Sequence, residues 1–445
     1  MTIHADLRSS ESSRGALILF MRYPEAGRVK SRLSAALGRS EAVRIYERLV
    51  RRTLGVAADF KRSAKKVDIF IALTPPERLP AACRRYPGPW AFFPQTGSHL
   101  GERMKRAIEH VAREGYGRVA LAGTDIADIQ ESDFTQAFEA IDAGFAALGP
   151  AADGGFYLIG LDRPCPAAFN ASQWGTGDIF VRTETALRSS GFQVRTLAER
   201  RDIDRPEDVT RISRDPVLQA SLSVIIPTLG SCADLKPLLQ SLDDQMWPGD
   251  EAIPVLAGNG PLEAAGFPAR RIRILSGPKG RGLQLSRGAR TAEGDVLLFL
   301  HGDSSPPPNF AYSVRKIIDA PRMSLGCFQL SFSPSTPALR TIAKWANFRT
   351  RHLKLPYGDQ GLFCTRAAYE TAGGFQRQFL MEDVDFVRQC RRSGRLLILP
   401  DAIATSPRRY VEKGILRASL KNQLLFFLHH LGVDEKRLYS LYYDC

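Results

Sequence analysis

Short apolar runs alternate with helix-period segments twice along this chain, and in each pass one run ends on a carboxylate: residues 119–125 (VALAGTD) and 296–303 (VLLFLHGD). Strands that alternate with helices imply βαβ units, whose strands lie parallel because each crossover helix returns the chain to the same edge. Ligands of such sheets collect at the carboxyl ends of the strands, which is where Asp125 and Asp303 fall. Each run is followed by a second loop of similar grammar, DGGFYLIG from Asp153 and DQGLFCTR from Asp359. A third acidic station then closes each pass, Asp202 and Asp204 in DIDRPED, and Glu382 and Asp383 in LMEDVDF. Two nucleotide-handling α/β domains in tandem are the simplest explanation, with Asp125 and Asp303 at equivalent strand ends and the later acids diverging, DIDRPED toward a second metal contact and MEDVDF toward a base for an acceptor.

A chain of 445 residues is too long for one ordinary core. Periodicity lapses over 212–221 (ISRDPVLQAS) and a new strand starts with LSVIIP, so the expected domains are 15–213 and 221–445, behind a disordered tail at 1–14. In the first, strands are expected at 16–20, 67–73, 119–122, 146–148 and 156–159, with helices at 40–55, 100–113 and 131–143. In the second, strands are expected at 222–227, 252–257, 271–275, 296–300 and 326–332, with helices at 233–242 and 283–291.

Hydrophobic residues make up 44% and charged residues 24%, which suits folded domains rather than disorder. A formal charge of +14 favours polyanionic partners such as nucleotide diphosphates, although arginine pairs spread over the whole chain are equally what a solvated surface carries. No nucleic-acid module is present and basic residues are not interleaved with aromatics, so nucleic acid is not an expected partner. Seven cysteines form no CxxC or Cys/His ligand spacing, which fits reduced thiols and a cytoplasmic setting. No run reaches the roughly 18 apolar residues of a membrane span. The best candidate for peripheral membrane contact is 415–431 (ILRASLKNQLLFFLHHL), which a core-packed amphipathic helix explains equally well.

From residue 222 on, SVIIPTL, GRGLQLSRGA, GDVLLFLHGDS, YGDQGLF, GGF, LMEDVDF and TSPRRY follow one another in an order that resembles the family 2 glycosyltransferases of the GT-A fold. These are inverting enzymes that use nucleotide-diphosphate sugars, and the likeness is greatest to a bacterial subgroup linked to arsenosugar biosynthesis beside radical-SAM proteins. The resemblance implies that Asp303 is the metal-binding acid of a DxD-like motif, with His301 in place of its first Asp. The leaving diphosphate would be neutralised by a divalent cation, Mg2+ or Mn2+. It also implies that Asp383 is the base that strips the acceptor hydroxyl, with Glu382 and Asp359 completing the catalytic set. The acid pair would equally suit a helix N-terminus, since VDFVRQCRR follows.

Asp359 and Gln360 lie in a glycine-flanked loop suited to close approach by a sugar. Arg281, Gln284, Arg408 and Arg409 are candidates for the diphosphate, because guanidinium forks match phosphate geometry. Where the family usually carries an acid after the second strand, this chain reads VLAGNGP, with Gly258 and Asn259, which departs from the usual base or ribose contact.

Residues 16–209 carry MRYPEAGRVKSRL, PQTGSHLGERM, GTDIADI, GPAADGGFYLIGL and DIDRPEDV, and resemble a bacterial family related to MobA-like and CofC-like nucleotidyltransferases. On that resemblance Arg28, Lys30 and Arg32 would cradle phosphates after the first strand, Asp125 and Asp204 would hold the cation, and Asp153 would face a sugar. The LxGGxGxRMG signature is missing, and His99 stands where the pattern has an acid.

The expected fold is therefore α/β, two tandem Rossmann-like nucleotide-diphospho-sugar transferase domains of GT-A type with mainly parallel sheets. The expected protein is a bifunctional transferase: a glycosyltransferase acting on a small-molecule or lipid acceptor, fused to a nucleotidyltransferase-like half that takes an NTP and makes the donor. The alternatives are two glycosyltransferases, or one half serving as a degenerate sugar-nucleotide-binding scaffold.

Overall fold

The computed structural model describes residues 14–170, 177–212, 215–229, 234–258, 271–376 and 381–408, with scattered positions from 411 to 441. The expected tail, Asn259, Arg409 and most of 415–431 lie outside the described residues. The chain divides into two compact units, residues 1–218 and 219–445.

The first unit holds strands β1 (Gly15–Arg22), β2 (Val67–Thr74), β3 (Trp90–Pro94), β4 (Arg118–Gly123), β5 (Phe145–Pro150), β6 (Phe156–Leu161) and β7 (Gln193–Thr196). They form one sheet in the order β3-β2-β1-β4-β6-β5-β7, in which β6 runs against its neighbours. The second unit holds β8 (Leu222–Thr228), β9 (Glu251–Ala257), β10 (Leu275–Gly277), β11 (Val296–Phe299), β12 (Ser304–Ser305), β13 (Met323–Phe332), β14 (Leu362–Thr365) and β15 (Arg395–Thr405). Its order is β10-β9-β8-β11-β14-β13-β15-β12, with β14 reversed and the short β12 antiparallel at the edge.

Set side by side, the two orders are one order. Strands β1 to β4 correspond to β8 to β11, β5 to β13, the reversed β6 to β14, and β7 to β15. Two mixed α/β units with largely parallel sheets are therefore what the alternating pattern builds.

Both faces of the central strands are covered, since Ala16, Leu17, Ile18 and Leu19 are all 0% exposed, and the helices pack on them through residues at helical spacing. Arg39–Ser63 buries Ile45, Leu49, Val50, Leu54, Ala57 and Phe60, and Leu100–Arg113 buries Met104, Ala107, Ile108 and Val111. Each such large side chain, taken from water, contributes about 1.5–3 kcal/mol. The second core is aromatic: Phe375 meets Phe299 edge-on at 4.8 Å and stacks on Phe386 at 4.4 Å. Below it, the fully buried Arg315 is paired with Asp250, donates to the Ala220 and Ala311 carbonyls, and lies over the Trp247 ring. Those partners offset the cost of removing the charges from water.

Two expectations are corrected, and the third acidic stations differ in place as well as in chemistry. The strand expected at 271–275 is only a bridge from Ile272 to Ala252, and regular pairing starts at Leu275, at the sheet edge. The helix expected at 233–242 is described as Lys236–Gln245, with Pro237 in its first turn, where proline's missing N–H costs nothing. The third acidic stations are not equivalent. Asp202 and Asp204 follow β7, whereas Glu382 and Asp383 open the helix Glu382–Ser393 between β14 and β15. The topological counterpart of that helix is Ile179–Ser189, preceded by Asp178, and the counterpart of DIDRPED is the basic segment Ser406-Pro407-Arg408 after β15.

Candidate functional site

In the second unit the register places the site. Phe299, the last residue of β11, pairs with Leu362, the first of β14, so the Asp359 loop arrives where the His301–Asp303 segment departs. The reversed strand brings this about: its amino end lies at the carboxyl edge of its neighbours. The Ser406 N–H donates to the Asp303 carbonyl at 3.0 Å and β12 pairs with Ala404 and Thr405, which brings the Arg408 segment alongside Asp303.

Asp383 is nearly buried and its carboxylate is fixed from two sides. One oxygen accepts from the Gly358 N–H at 2.7 Å and the other from the Val384 N–H at 2.9 Å, within the first turn of its own helix. A Cβ on Gly358 would stand 2.9 Å from His301 Nε2 and 3.3 Å from the Asp383 Oδ2. Imidazole, backbone and carboxylate therefore meet at a point where only glycine fits.

Asp359 has one carboxylate oxygen buried without a hydrogen-bond partner. Burial pushes its carboxyl up to about 6, with the Arg349 and Arg281 charges holding it down and Asp383 and Asp303 pushing it further. Glu382 is fully buried and ion-paired with Arg281, at the start of the helix Arg281–Thr291; burial raises its carboxyl and that guanidinium restrains it. Arg281 thus links the two helix starts at the site while keeping a third of its side chain exposed.

Two expected ligand residues face inward. Gln284 is 2% exposed, and its amide nitrogen donates to the Thr228 and Val255 carbonyls, tying β8 to β9. Gln360 is 0% exposed; its oxygen accepts from Thr350 and the Tyr357 N–H, and its nitrogen donates to the Phe328 carbonyl. Both brace the floor of the site instead of presenting an amide to a ligand. Arg408 is exposed beyond β15.

The first unit has a cleft of about 850 Å³ lined by Arg22, Arg28, Lys30, Asp125, Asp153 and Asp202 among others. Lys30 adopts the left-handed backbone conformation at φ 48°, uncommon for a residue with a side chain, just before the helix Ser31–Leu37. Its buried ammonium meets Asp125 at 2.9 Å. Burial works against the Lys30 charge, yet Asp125, Asp202 and Asp204 raise its pKa; Asp125 is correspondingly lowered against its own burial.

Arg32 pairs with Asp204 at 2.7 Å, and Arg28, mostly exposed, lies 3.4 Å from Glu25. Ile126 bridges Asp202, so the DID segment lies along the end of β4; burial, then Asp153, push the Asp202 carboxyl up to about 6. Asp153 is exposed and caps its own turn through the Gly155 N–H at 2.9 Å. His99 accepts from the Glu102 N–H and caps the helix Leu100–Arg113. Gln95 repeats the floor brace of Gln284, donating to the Met21 and Ala72 carbonyls across β1 and β2.

Among the described residues no three His, Cys, Asp or Glu side chains are grouped to cage a metal ion. What the second unit does offer fits a different mode. Exposed Asp303 and the unpartnered Asp359 oxygen are hard oxygen donors, and Mg2+-type ions commonly bind one or two carboxylates and complete their shell with substrate phosphates. In the first unit Asp125 and Asp204, the expected ligands, are already paired with Lys30 and Arg32. Sequence reading did not identify Arg349, which lies 3.5 Å over the Tyr357 ring beside the Asp359 loop, or Tyr46, whose hydroxyl is bonded to Thr124 and the Arg22 N–H in the first cleft. Neither sits in a motif.

Residues 59–176 match the family model described as an uncharacterized protein conserved in bacteria, DUF2064, and residues 223–371 match glycosyl transferase family 2. Among solved structures, a proposed nucleotide-diphospho-sugar transferase from Desulfovibrio desulfuricans G20 is 33% identical, over 45% of this chain and 87% of its own, with a TM-score of 0.42. The mannosyltransferase PcManGT from Pyrobaculum calidifontis, in complex with GDP-Man and Mn2+, is 16% identical over 44% of this chain and 62% of its own, with a TM-score of 0.35. GalNAc-T7 with UDP, GalNAc and Mn2+ is 12% identical over 42% of this chain and 44% of its own, with a TM-score of 0.33. No curated protein matches the sequence.

Proposed function

We propose that this glycosyltransferase, whose C-terminal half carries a family 2 domain and whose N-terminal half carries a DUF2064 domain, moves a glycosyl group with inversion from a nucleotide-diphosphate sugar to an acceptor hydroxyl. The observation that carries this reading is the Asp383 carboxylate, held at 2.7 Å by the Gly358 N–H beside His301 at the carboxyl end of β11. A base fixed on two backbone donors loses little freedom when it accepts a proton in the transition state. The acceptor oxygen forms its bond to the anomeric carbon as the bond from that carbon to the diphosphate breaks, and its proton passes to Asp383.

Arg281 and Arg408 receive the diphosphate, and Arg281 is anchored behind them by its ion pair with Glu382. Asp303, with Asp359, would hold a divalent cation, Mg2+ or Mn2+, which when bound neutralises the departing diphosphate. The likeness to the arsenosugar-linked subgroup extends this reading to an arsenic-bearing acceptor or donor, in the cytoplasm. No helix of the described residues is long and apolar enough to cross a membrane.

For the N-terminal unit we favour a sugar-nucleotide-binding role over donor synthesis. Nucleotidyl transfer would need Asp125 and Asp204 free for a cation, and both are engaged by Lys30 and Arg32. Mass spectrometry of products from the full chain with UDP-, GDP- and dTDP-sugars and a cell metabolite extract tests the whole reading. Nucleotide release and a glycosylated product that survive Asp383→Asn undiminished would sink it, and pyrophosphate release from an NTP and a sugar phosphate would overturn the assignment of the first unit.

A further inference from the structure

The helix Pro337–Leu353, between β13 and the Asp359 loop, is amphipathic in an unusual sense. Its buried side is small: Leu339, Ala343 and Ala346 pack on Leu330 and Phe332, and Asn347 makes two hydrogen bonds to the Leu330 backbone. Its outer side is aromatic. Trp345 is 57% exposed and Phe348 52%, and Leu353, the last residue of the helix, is 58% exposed. No other Trp or Phe among the described residues is exposed to this degree.

The rings form one ridge. Trp345 stacks on Phe348 at 5.8 Å, and Phe348 lies 4.3 Å from His352. At about 100° per residue, these three fall within about 60° of arc, and Arg340, Lys344 and Arg351 fall within about 40° immediately beside them. Residues 337–354 contain five Lys and Arg and no Asp or Glu.

We propose that this face docks on an anionic phospholipid surface, with the ring ridge in the headgroup region and the cationic stripe on the lipid phosphates. A convex ridge offers no groove to grip a protein segment, but it sinks readily into a soft interface, where Trp and Phe are at home and long basic side chains keep their charges at the phosphate level. The rings also cover one another's faces, which leaves little room for the base stacking that single-stranded nucleic acid requires. The charge is one-signed along the full helix, as an anionic surface demands.

Docking would set the site's orientation. From the helix's inner side, Thr350 bonds Gln360 at 2.7 Å and Arg349 lies on Tyr357, so the face that meets lipid and the loop that bears Asp359 are two sides of one rigid element. The inference rests on this helix alone, not on the reaction assigned to the site.

Co-sedimentation of the full chain with phosphatidylcholine vesicles, with and without phosphatidylglycerol, is the test. Binding is expected only with phosphatidylglycerol, weakened about fivefold for each of Arg340→Gln and Lys344→Gln, and abolished by Trp345→Ala with Phe348→Ala at unchanged melting temperature. Acyl-chain bromines should quench wild-type fluorescence, while Trp345→Phe should still sediment without that quenching. Binding indifferent to phosphatidylglycerol or to the double ring variant, tighter binding to a single-stranded oligonucleotide, or ring-dependent self-association in solution would each overturn the proposal.

Discussion

The two units lay down the same seven strands in the same order, yet they arm the carboxyl edge with opposite chemistry. After the last strand of the shared order the first unit presents Asp202 and Asp204, and the second presents Ser406, Pro407 and Arg408. Between the fifth and sixth strands the first unit makes a tight turn at 151–155, and the second inserts the helix Pro337–Leu353 and the Asp359 loop. In the first, Asp125 and Asp204 meet the protein's own cations; in the second, Asp303 is exposed and an Asp359 oxygen is buried without a hydrogen-bond partner. A shared sheet therefore decides where chemistry happens, and the connections decide which chemistry it is.

The sharpest break between the units should come from one acid of each candidate site. Asp383→Asn is expected to lower glycosyl transfer by about 10²- to 10⁴-fold, the usual contribution of a positioned base, while Asp125→Asn leaves the rate of that transfer within about twofold; steady-state kinetics of the full chain measures both. A loss of equal size from Asp125→Asn would mean that the two edges serve one reaction.

Next in size is the contrast between the buried ion pairs. Arg315 and Asp250 are 1% and 0% exposed, and Asp250→Ala strands a buried guanidinium at a cost of about 3–5 kcal/mol. Arg200 retains 14% exposure and has Asp128 nearby as well as Asp133, so Asp133→Ala should cost only about 1–3 kcal/mol. Urea denaturation of each variant reads the difference.

A finer comparison uses two glycines, one in each connection between the fifth and sixth strands. Gly358→Ala drives a methyl to 2.9 Å from His301 and displaces the Asp383 carboxylate, with an expected loss of about 10²-fold in kcat. Gly155→Ala meets only the tip of the exposed Asp153 side chain at 3.1 Å, which need give by only a few tenths of an ångström, and should leave the melting temperature of the chain unchanged.

The smallest effect is one the units share. Asp202 and Asp359 are both held at about 6 against an ordinary 3.8, so each keeps its proton in the folded state where the unfolded chain has lost it. Their contribution to stability is greatest below 3.8 and falls as pH rises to about 6. Asp202→Asn and Asp359→Asn should each flatten the pH dependence of the denaturation midpoint across that window; an unchanged slope would show that the acid is not held up.

Much of this was legible in the chain. Near-continuous apolar runs such as ALIL and SVIIP mark the buried parallel strands, and 100–113 reads as the helix that forms there, because its apolar residues keep helical spacing. What escaped had no such signature. β3 (WAFFP) and β7 (QVRT) are half-exposed edge strands without alternation, and Pro337–Leu353 turns its largest apolar residues outward, so its pattern does not announce a packed helix.

At the site, Asp303, Asp359 and Asp383 could be named from motif order, but two glutamines beside them could not be sorted into ligand and brace. Gln284 and Gln360 sit in the right segments, and only the course of the backbone decides that their amides turn to carbonyls of the sheet. The different places of the third acidic stations were hidden for a related reason: linear order cannot tell a segment before a strand from one after it.

The shared strand order also has a consequence for assembly. The first strand of each unit is central in its sheet: β1 takes Gly15 into pairs with both Val67 and Arg118, and β8 awaits β9 and β11 in the same way. Such distant pairing folds slowly, and two sheets of one blueprint on one chain invite a central strand to insert beside the wrong partners. Synthesis from the amino terminus reduces the hazard, since every strand of the first unit emerges from the ribosome before β8 does. Refolding from denaturant, where both blueprints are offered at once, gives up that protection.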